Sequence, residues 1–394
     1  MIPLAVTAFT ATTAAGAGNE ALLAALVEER SGLRENDFTA QPLPTWIGRV
    51  AGIEGLAWPS RFAPWECRNN RLAWLGLQAD GFLEAVQHAR ERYGAGRVAI
   101  VIGTSTSSIG ATEEAYARLD ADGRFPPDLR RAAVHTPHSL GDFLAQALQL
   151  DGPCVTVATA CSSSAKVFAQ AERLIRLGIA DAAVVGGVDT LCGSVLFGFN
   201  SLELVSRQPC RPFDVARNGI SLGEAAGFAL LERDGPAAAW LVGHGESSDA
   251  HHMSSPHPEG LGARLAIEAA LARAGLAAAS VDYINLHGTA SQKNDEVEGA
   301  VIASLFPPQA AASSTKGWTG HTLGAAGVIE AVICLLAIRE GFRPGTLNLE
   351  NPDPACGPQV RAHGDRAPVN VAMTESFGFG GNNCVLIFSR QAAR

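Results

Sequence analysis

Short apolar runs that end in glycine- or hydroxyl-rich loops recur along this chain, with longer helical stretches between them. Val98 to Ile102 leads into a Ser/Thr-rich loop, Gly103 to Gly110, and Pro153 to Ala160 leads into Cys161. Ala182 to Val185 closes on Gly186-Gly187, and Val281 to Leu286 and Ala310 to Ser314 follow in the second half. Val369 to Thr374 and Cys384 to Phe388 form a last pair around a glycine turn. Ser162 to Leu177 reads as a helix stopped by Gly178. Thr322 to Arg339 reads as another, in which Gly324-Ala325-Ala326-Gly327 allows close packing. Buried strands alternating with helices predict a layered α/β architecture. A composition break near Glu232-Arg233-Asp234-Gly235 divides the chain into residues 1–235 and 236–394. No residue-level repeat and no low-complexity linker separates them, so the halves are expected to pack as one unit.

Composition removes several function classes. Of 394 residues 47% are hydrophobic and 18% charged, which predicts a large core. A net charge of −9 argues against general nucleic-acid binding. Eight cysteines lack any C-x-x-C or zinc-like spacing and read as reduced thiols in a cytoplasm, with no metal site. The first basic residue is Arg30, unlike the charged start of a signal peptide. No apolar run is long enough to span a bilayer; Val328 to Ile338 is interrupted by Glu330. Gly16-Ala17-Gly18-Asn19-Glu20-Ala21 matches a relaxed dinucleotide pattern, but its glycines stand away from the preceding apolar run and Glu20 sits where a pyrophosphate would approach.

Cys161 lies where a strand becomes a helix. Free N–H groups and the helix dipole favour a thiolate there, and Ala160 and Ser162 to Ser164 are small enough to admit a substrate carbonyl. A buried structural cysteine is the alternative. Three further segments carry chemistry: Leu286-His287-Gly288-Thr289-Ala290-Ser291 with Asp295 and Glu298; Ser314-Thr315-Lys316-Gly317-Trp318-Thr319-Gly320-His321; and Ser376-Phe377-Gly378-Phe379-Gly380-Gly381-Asn382-Asn383. All follow strand-like runs, whose ends can converge on one crevice in α/β folds. Asp249-Ala250-His251-His252-Met253, with His257, has no acidic partner at zinc spacing, which argues against a metal.

At these four segments, and at Gly186-Gly187-Val188-Asp189, Arg211-Pro212-Phe213-Asp214 and Gly219 to Gly227, the sequence resembles the β-ketoacyl-acyl carrier protein synthases over essentially its whole length. The match is strongest to the branch with a Cys-His-His site. The resemblance implies a thiolase-like fold, a five-layered α-β-α-β-α sandwich of two related halves, and a dimer around the strand before Cys161. It implies decarboxylative condensation of a malonyl carrier thioester with an acyl chain on Cys161, giving a 3-oxoacyl product. No bound cofactor is implied; the phosphopantetheine arm of acyl carrier protein brings the substrate. Position by position, Cys161 is the nucleophile and the Cys161 and Phe379 amides form the oxyanion hole. His287 and His321 stabilise the enolate. Lys316 pairs with Glu298, with Asp295 in support. Thr289 and Ser291 contact pantetheine, Phe379 gates the acyl pocket, and Thr106 lines its floor.

Departures from the family are few: Ser291 and Asn382 stand where threonines are usual, which would retune pantetheine contacts, and Gly317-Trp318 replaces a small residue followed by Met. The whole chain also resembles synthases of aryl polyene pathways. The hydroxyls of Thr104 to Ser108 would suit aryl or conjugated chains, unless they bond to their own loop backbone. An acidic carrier protein needs a basic patch, for which Arg68, Arg71, Arg124, Arg130 and Arg131 are candidates. A degradative thiolase would need a second catalytic cysteine near the C-terminus; Cys384 lies in strand-like sequence. A chain-length subunit, the partner in a heterodimer as opposed to a homodimer, would lack the nucleophile.

Overall fold

The computed structural model describes residues 1–392. Ten strands order the fold: β1 (Leu4–Thr13), β2 (Val98–Gly103), β3 (Cys154–Val157), β4 (Ala182–Asp189), β5 (Ala225–Glu232), β6 (Ala239–Ser248), β7 (Tyr283–Asn285), β8 (Ala311–Ser313), β9 (Val371–Gly378) and β10 (Asn382–Ser389). They lie in the order β3-β2-β4-β5-β1-β6-β10-β9-β7-β8. Taken by halves, this is one pattern used twice. In each half the third strand lies at the edge, followed by the second, fourth, fifth and first. The pairings have the same sense in both halves: parallel, parallel, antiparallel, antiparallel. The repeat is structural, and the sequence shows nothing of it.

Both faces of each half-sheet are buried, so the strands read as apolar runs without polar alternation. Along β2, Val98, Ile100 and Ile102 pack outward. Ala99 and Val101 face inward, as the two-residue strand period requires. The outer layer on this side is α1 (Arg68–Leu77), α2 (Phe82–Tyr93) and α3 (Ser139–Leu148). On the far side α5 (Leu261–Ala274) and α6 (Gln292–Leu305) cover Val385 and Ile387. Between the half-sheets run α4 (Ser163–Arg176) and α7 (Ala326–Glu340), which completes five layers. Residues 326–338 of α7 are buried all round, as expected of a central helix. Its start packs on α4 at Gly327, where an added Cβ would lie 2.6 Å from the Ala165 nitrogen. Ser164 Oγ accepts from the Val328 N–H at 2.9 Å, tying the two helix starts together.

Two sequence expectations change. Gly186 and Gly187 do not close a strand; β4 runs through them to Asp189. Their missing side chains make room for Phe228 and Ser164. At the N-terminal glycine pattern, already discounted as a phosphate site, Asp80 accepts the Asn19 N–H at 2.9 Å and so occupies the helix start with a carboxylate. Helix α7 begins at Ala326, after a short 3₁₀ turn at Leu323–Ala325. Among the described residues, no helix is long and apolar enough to cross a membrane.

Candidate active site

A cleft of about 480 Å³ opens where the third strands of both halves end. Ala160 takes φ 51°, a left-handed turn that a non-glycine residue adopts only when its surroundings hold it there. Those surroundings are the Ser163 hydroxyl, which donates to the Ala160 carbonyl at 2.6 Å and accepts from the Thr159 N–H at 2.9 Å. The turn lifts Cys161 ahead of α4 with its sulfur in the cleft. His321 is fixed by its backbone, which donates to the Ser221 carbonyl at 2.7 Å and accepts from Gly223 at 3.0 Å. Its Nε2 lies 3.0 Å from Cys161 Sγ. The His287 ring stands at 89° to the His321 ring, centroids 5.4 Å apart. The sulfur and one nitrogen from each ring fall within 4.8 Å of one another. Such a set has the chemistry to take zinc, but the Lys316 ammonium nearby opposes a second cation.

Electrostatics fixes the protonation states. Burial, then Lys316, holds both imidazoles well below their ordinary range, so they are neutral. Both Nδ1 atoms are buried without a hydrogen-bond partner. Burial also pushes the Cys161 thiol up to about 11, against the opposing pull of Lys316 and the Phe379 N–H. Burial of the sulfur thus works against the thiolate that a helix start favours.

The expected Lys316–Glu298 pair is not formed. Lys316 Nζ donates to Glu330 and to the His287 carbonyl, all buried. Glu298 instead accepts the His287 N–H at 2.6 Å and the Gly288 N–H at 2.7 Å. Asp295 accepts the Phe213 N–H at 2.8 Å and the Ala290 N–H at 3.1 Å, and burial raises its carboxyl to about 6. The motif at Arg211 to Asp214 is thereby held against the His287 loop. Thr289, Ser291 and Phe379 line the cleft, as do His252 and Met253. Phe379 stacks on Phe199 with centroids 5.5 Å apart. Asn382 turns away, its side chain accepting from Lys166 at 3.3 Å. Trp318 is buried and donates to the Ala25 carbonyl at 2.9 Å. The absent side chain of Gly317 leaves room for Leu347. Cys384 is buried in β10, away from the cleft.

Thr106 is not among the cleft residues of this chain, and the loop hydroxyls do not bond chiefly to their own backbone. Asp189 gathers them: Thr104, Ser105 and Thr106 donate hydroxyls to it at 2.6, 2.8 and 2.8 Å. The amides of Ser105, Thr106 and Gly324 add bonds of 2.8, 3.1 and 2.6 Å. Sequence reasoning missed this role of Asp189. The basic patch is also thinner than expected, because Arg68 pairs with Glu224 and Glu54, and Arg71 with Glu66.

Comparison with known proteins agrees with this geometry. Residues 1–237 match the family model "Beta-ketoacyl synthase, N-terminal domain" and residues 238–350 "Beta-ketoacyl synthase, C-terminal domain". The chain is 32% identical to 3-oxoacyl-[acyl-carrier-protein] synthase 2 of Coxiella burnetii, with 93% of each chain covered. It is 36% identical to nodulation protein E of Rhizobium meliloti over 75% of this chain and 76% of that one. Among solved structures, a chain of the Xenorhabdus doucetiae ketosynthase (ApeO) in complex with its chain length factor (ApeC) superposes with a TM-score of 0.90, 36% identity and 98% of each chain covered. With both family models adjoining on one fold, and the Cys-His-His cluster set between the halves they describe, the chain belongs to the β-ketoacyl synthase family.

Proposed function

We propose that this β-ketoacyl synthase acts through Cys161, His287 and His321 on substrates carried by the phosphopantetheine arm of an acyl carrier protein. The observation that carries this is the 3.0 Å approach of His321 Nε2 to Cys161 Sγ, with the Phe379 amide at the same sulfur. An unpartnered Nδ1 is tolerated more easily as a bare acceptor than as an N–H, which places the ring proton on Nε2. His321 then donates to the sulfur as it becomes a thiolate and attacks the acyl thioester. The Cys161 and Phe379 N–H groups receive the oxyanion. The thiol proton leaves with the carrier thiol.

In the second half-reaction a malonyl thioester places its carbonyl oxygen between the two Nε2–H groups. Loss of carbon dioxide sends the C–C electron pair into an enolate that both imidazoles stabilise. The enolate carbon attacks the acyl-Cys161 carbonyl, and the departing sulfur takes one proton from solvent. His321 serves both halves in one tautomer. Burial, with Lys316 held by Glu330, keeps the rings neutral. Mass spectrometry of the carrier protein after incubation with acyl and malonyl carriers should reveal a 3-oxoacyl product two carbons longer. Its absence with a competent carrier would refute the reading. His287→Ala and His321→Ala should each slow malonyl decarboxylation roughly a hundredfold or more, the scale of a lost oxyanion donor. Acyl transfer to Cys161 should suffer less in His287→Ala. Equal loss in both half-reactions for both variants would contradict this division.

A second chain completes this reading. The edge strand β8 is covered, since Ala312 exchanges backbone bonds with Gln359 and Arg361. The opposite edge, β3, is half-exposed and carries Val155 and Val157, an open template for pairing. The proposed occupant is the same strand of a second copy or of a homologous chain-length subunit. Val155→Lys should give a sedimenting monomer with little condensation activity; a fully active monomer would overturn the pairing.

A further inference from the structure

Glu375, within β9, is fully buried, yet no hydrogen-bond donor reaches either of its carboxylate oxygens. A bare carboxylate in that setting is costly to bury. It also faces a second carboxyl. Successive side chains on a strand alternate, so Glu375 shares its face with Phe377 and turns toward α6. Phe377 and Glu298 line one small cavity there, and Glu375 and Glu298 lie within hydrogen-bonding reach. Of the two carboxyls it is Glu298 that has donors: the His287 and Gly288 amides and, at 3.0 Å, the Asn294 side chain. One proton shared between the two carboxyls satisfies both, and it must sit on the member without donors.

We propose that Glu375 is a neutral carboxylic acid and a positioning residue, whose O–H donates to Glu298 and keeps that carboxylate clamped on the His287–Gly288 backbone. The proposal rests on the ketosynthase reading for its catalytic consequence but not for its protonation state. Glu375 does not touch substrate; it acts through Glu298 on the orientation of His287. The other charged or titratable groups around the pair are Asp295 on α6, Glu330 on α7, Lys316, His287 and His321. Burial and the Glu298 and Glu330 carboxylates hold Glu375 well above the usual carboxylate range, in accord with the geometry.

Three measurements test it. First, the infrared difference spectrum between wild type and Glu375→Gln should contain a protonated-carboxyl C=O band assignable to Glu375. No such band would overturn the proposal, and this readout needs no turnover. Second, Gln can still donate to Glu298 and Leu cannot. Glu375→Gln should keep most malonyl decarboxylation, while Glu375→Leu loses roughly ten- to a hundredfold in kcat. Acyl transfer to Cys161 should change less than threefold in either. Equal impairment of the folded Gln and Leu variants would overturn the positioning role. If wild type itself fails to decarboxylate malonyl carrier, the ketosynthase reading fails and the infrared result still stands. Third, a carboxyl raised in the folded state contributes stability at low pH that is lost as pH rises from its unfolded value toward its folded one. The melting temperature of Glu375→Gln should therefore gain on wild type between about pH 4 and 8. A constant difference across that window would count against a proton held on Glu375, also in a preparation where the Leu variant does not fold.

Discussion

Replacing Cys161 by alanine should abolish the acyl-enzyme and lower condensation by on the order of 10⁴-fold or more, the scale seen when a catalytic nucleophile is removed. The loss follows from geometry. Cys161 is the cleft thiol among the eight cysteines: Cys384 is buried in a strand, and Cys67 and Cys192 line a different pocket. No neighbour can take over, since the hydroxyls of Ser162 and Ser163 are engaged in the turn. Malonyl decarboxylation should outlast the substitution, because its oxygen contacts come from His287 and His321. Labelled acyl carrier gives the direct measurement. A 1:1 adduct on the alanine protein, located elsewhere by peptide mapping, would reject Cys161 as the acceptor.

Asp189→Ala should lower stability by about 3–5 kcal/mol, the range for removing one partner of a buried charged network. Three hydroxyls and three amides from two separate loops would lose their acceptor, and buried donors left unmade carry the full desolvation penalty. Asp189→Asn should be milder but still destabilising, because its NH₂ group faces donors. The damage should also reach activity, since Gly324 lies three residues beyond His321. The check is a denaturant midpoint together with acyl-transfer rate. An unchanged midpoint for Asp189→Ala would show that the loop does not depend on this carboxylate.

Much of the site was legible because its residues sit in short patterns at strand ends. Cys161, His287 and His321 could be picked out by their glycine and hydroxyl neighbours, and they do share one cleft. The partners behind them were not legible. Glu330 stood in the sequence only as an interruption of an apolar run; its meaning appears once α7 is the central helix and Lys316 lies beneath the cleft. The family resemblance pairs Glu298 with Lys316, while the bonds that occupy it come largely from backbone amides with no sequence signature. Asp189 and Glu375 each lie in apolar strands, where a lone carboxylate gives no hint of what crosses over to meet it. The glycines of β4 were misread for a related reason: a glycine that breaks a strand and one that lets a neighbour approach are the same letter. The strand order escaped too, since the common arrangement of the halves survives in pairing sense and not in residue identity.

The central layer gives the chemistry an unusual dependence. Thiol and imidazole belong to different halves, each mounted at the start of a helix that follows the third strand of its own half-sheet. Their separation is therefore an alignment tolerance of the whole molecule, set where Gly327 rests against Ala165 and Ser164 holds Val328. Two halves that drifted by a fraction of an ångström would keep every reactive group and still fall out of register with each other, so stiffness in the middle of the sandwich is itself part of the catalytic apparatus.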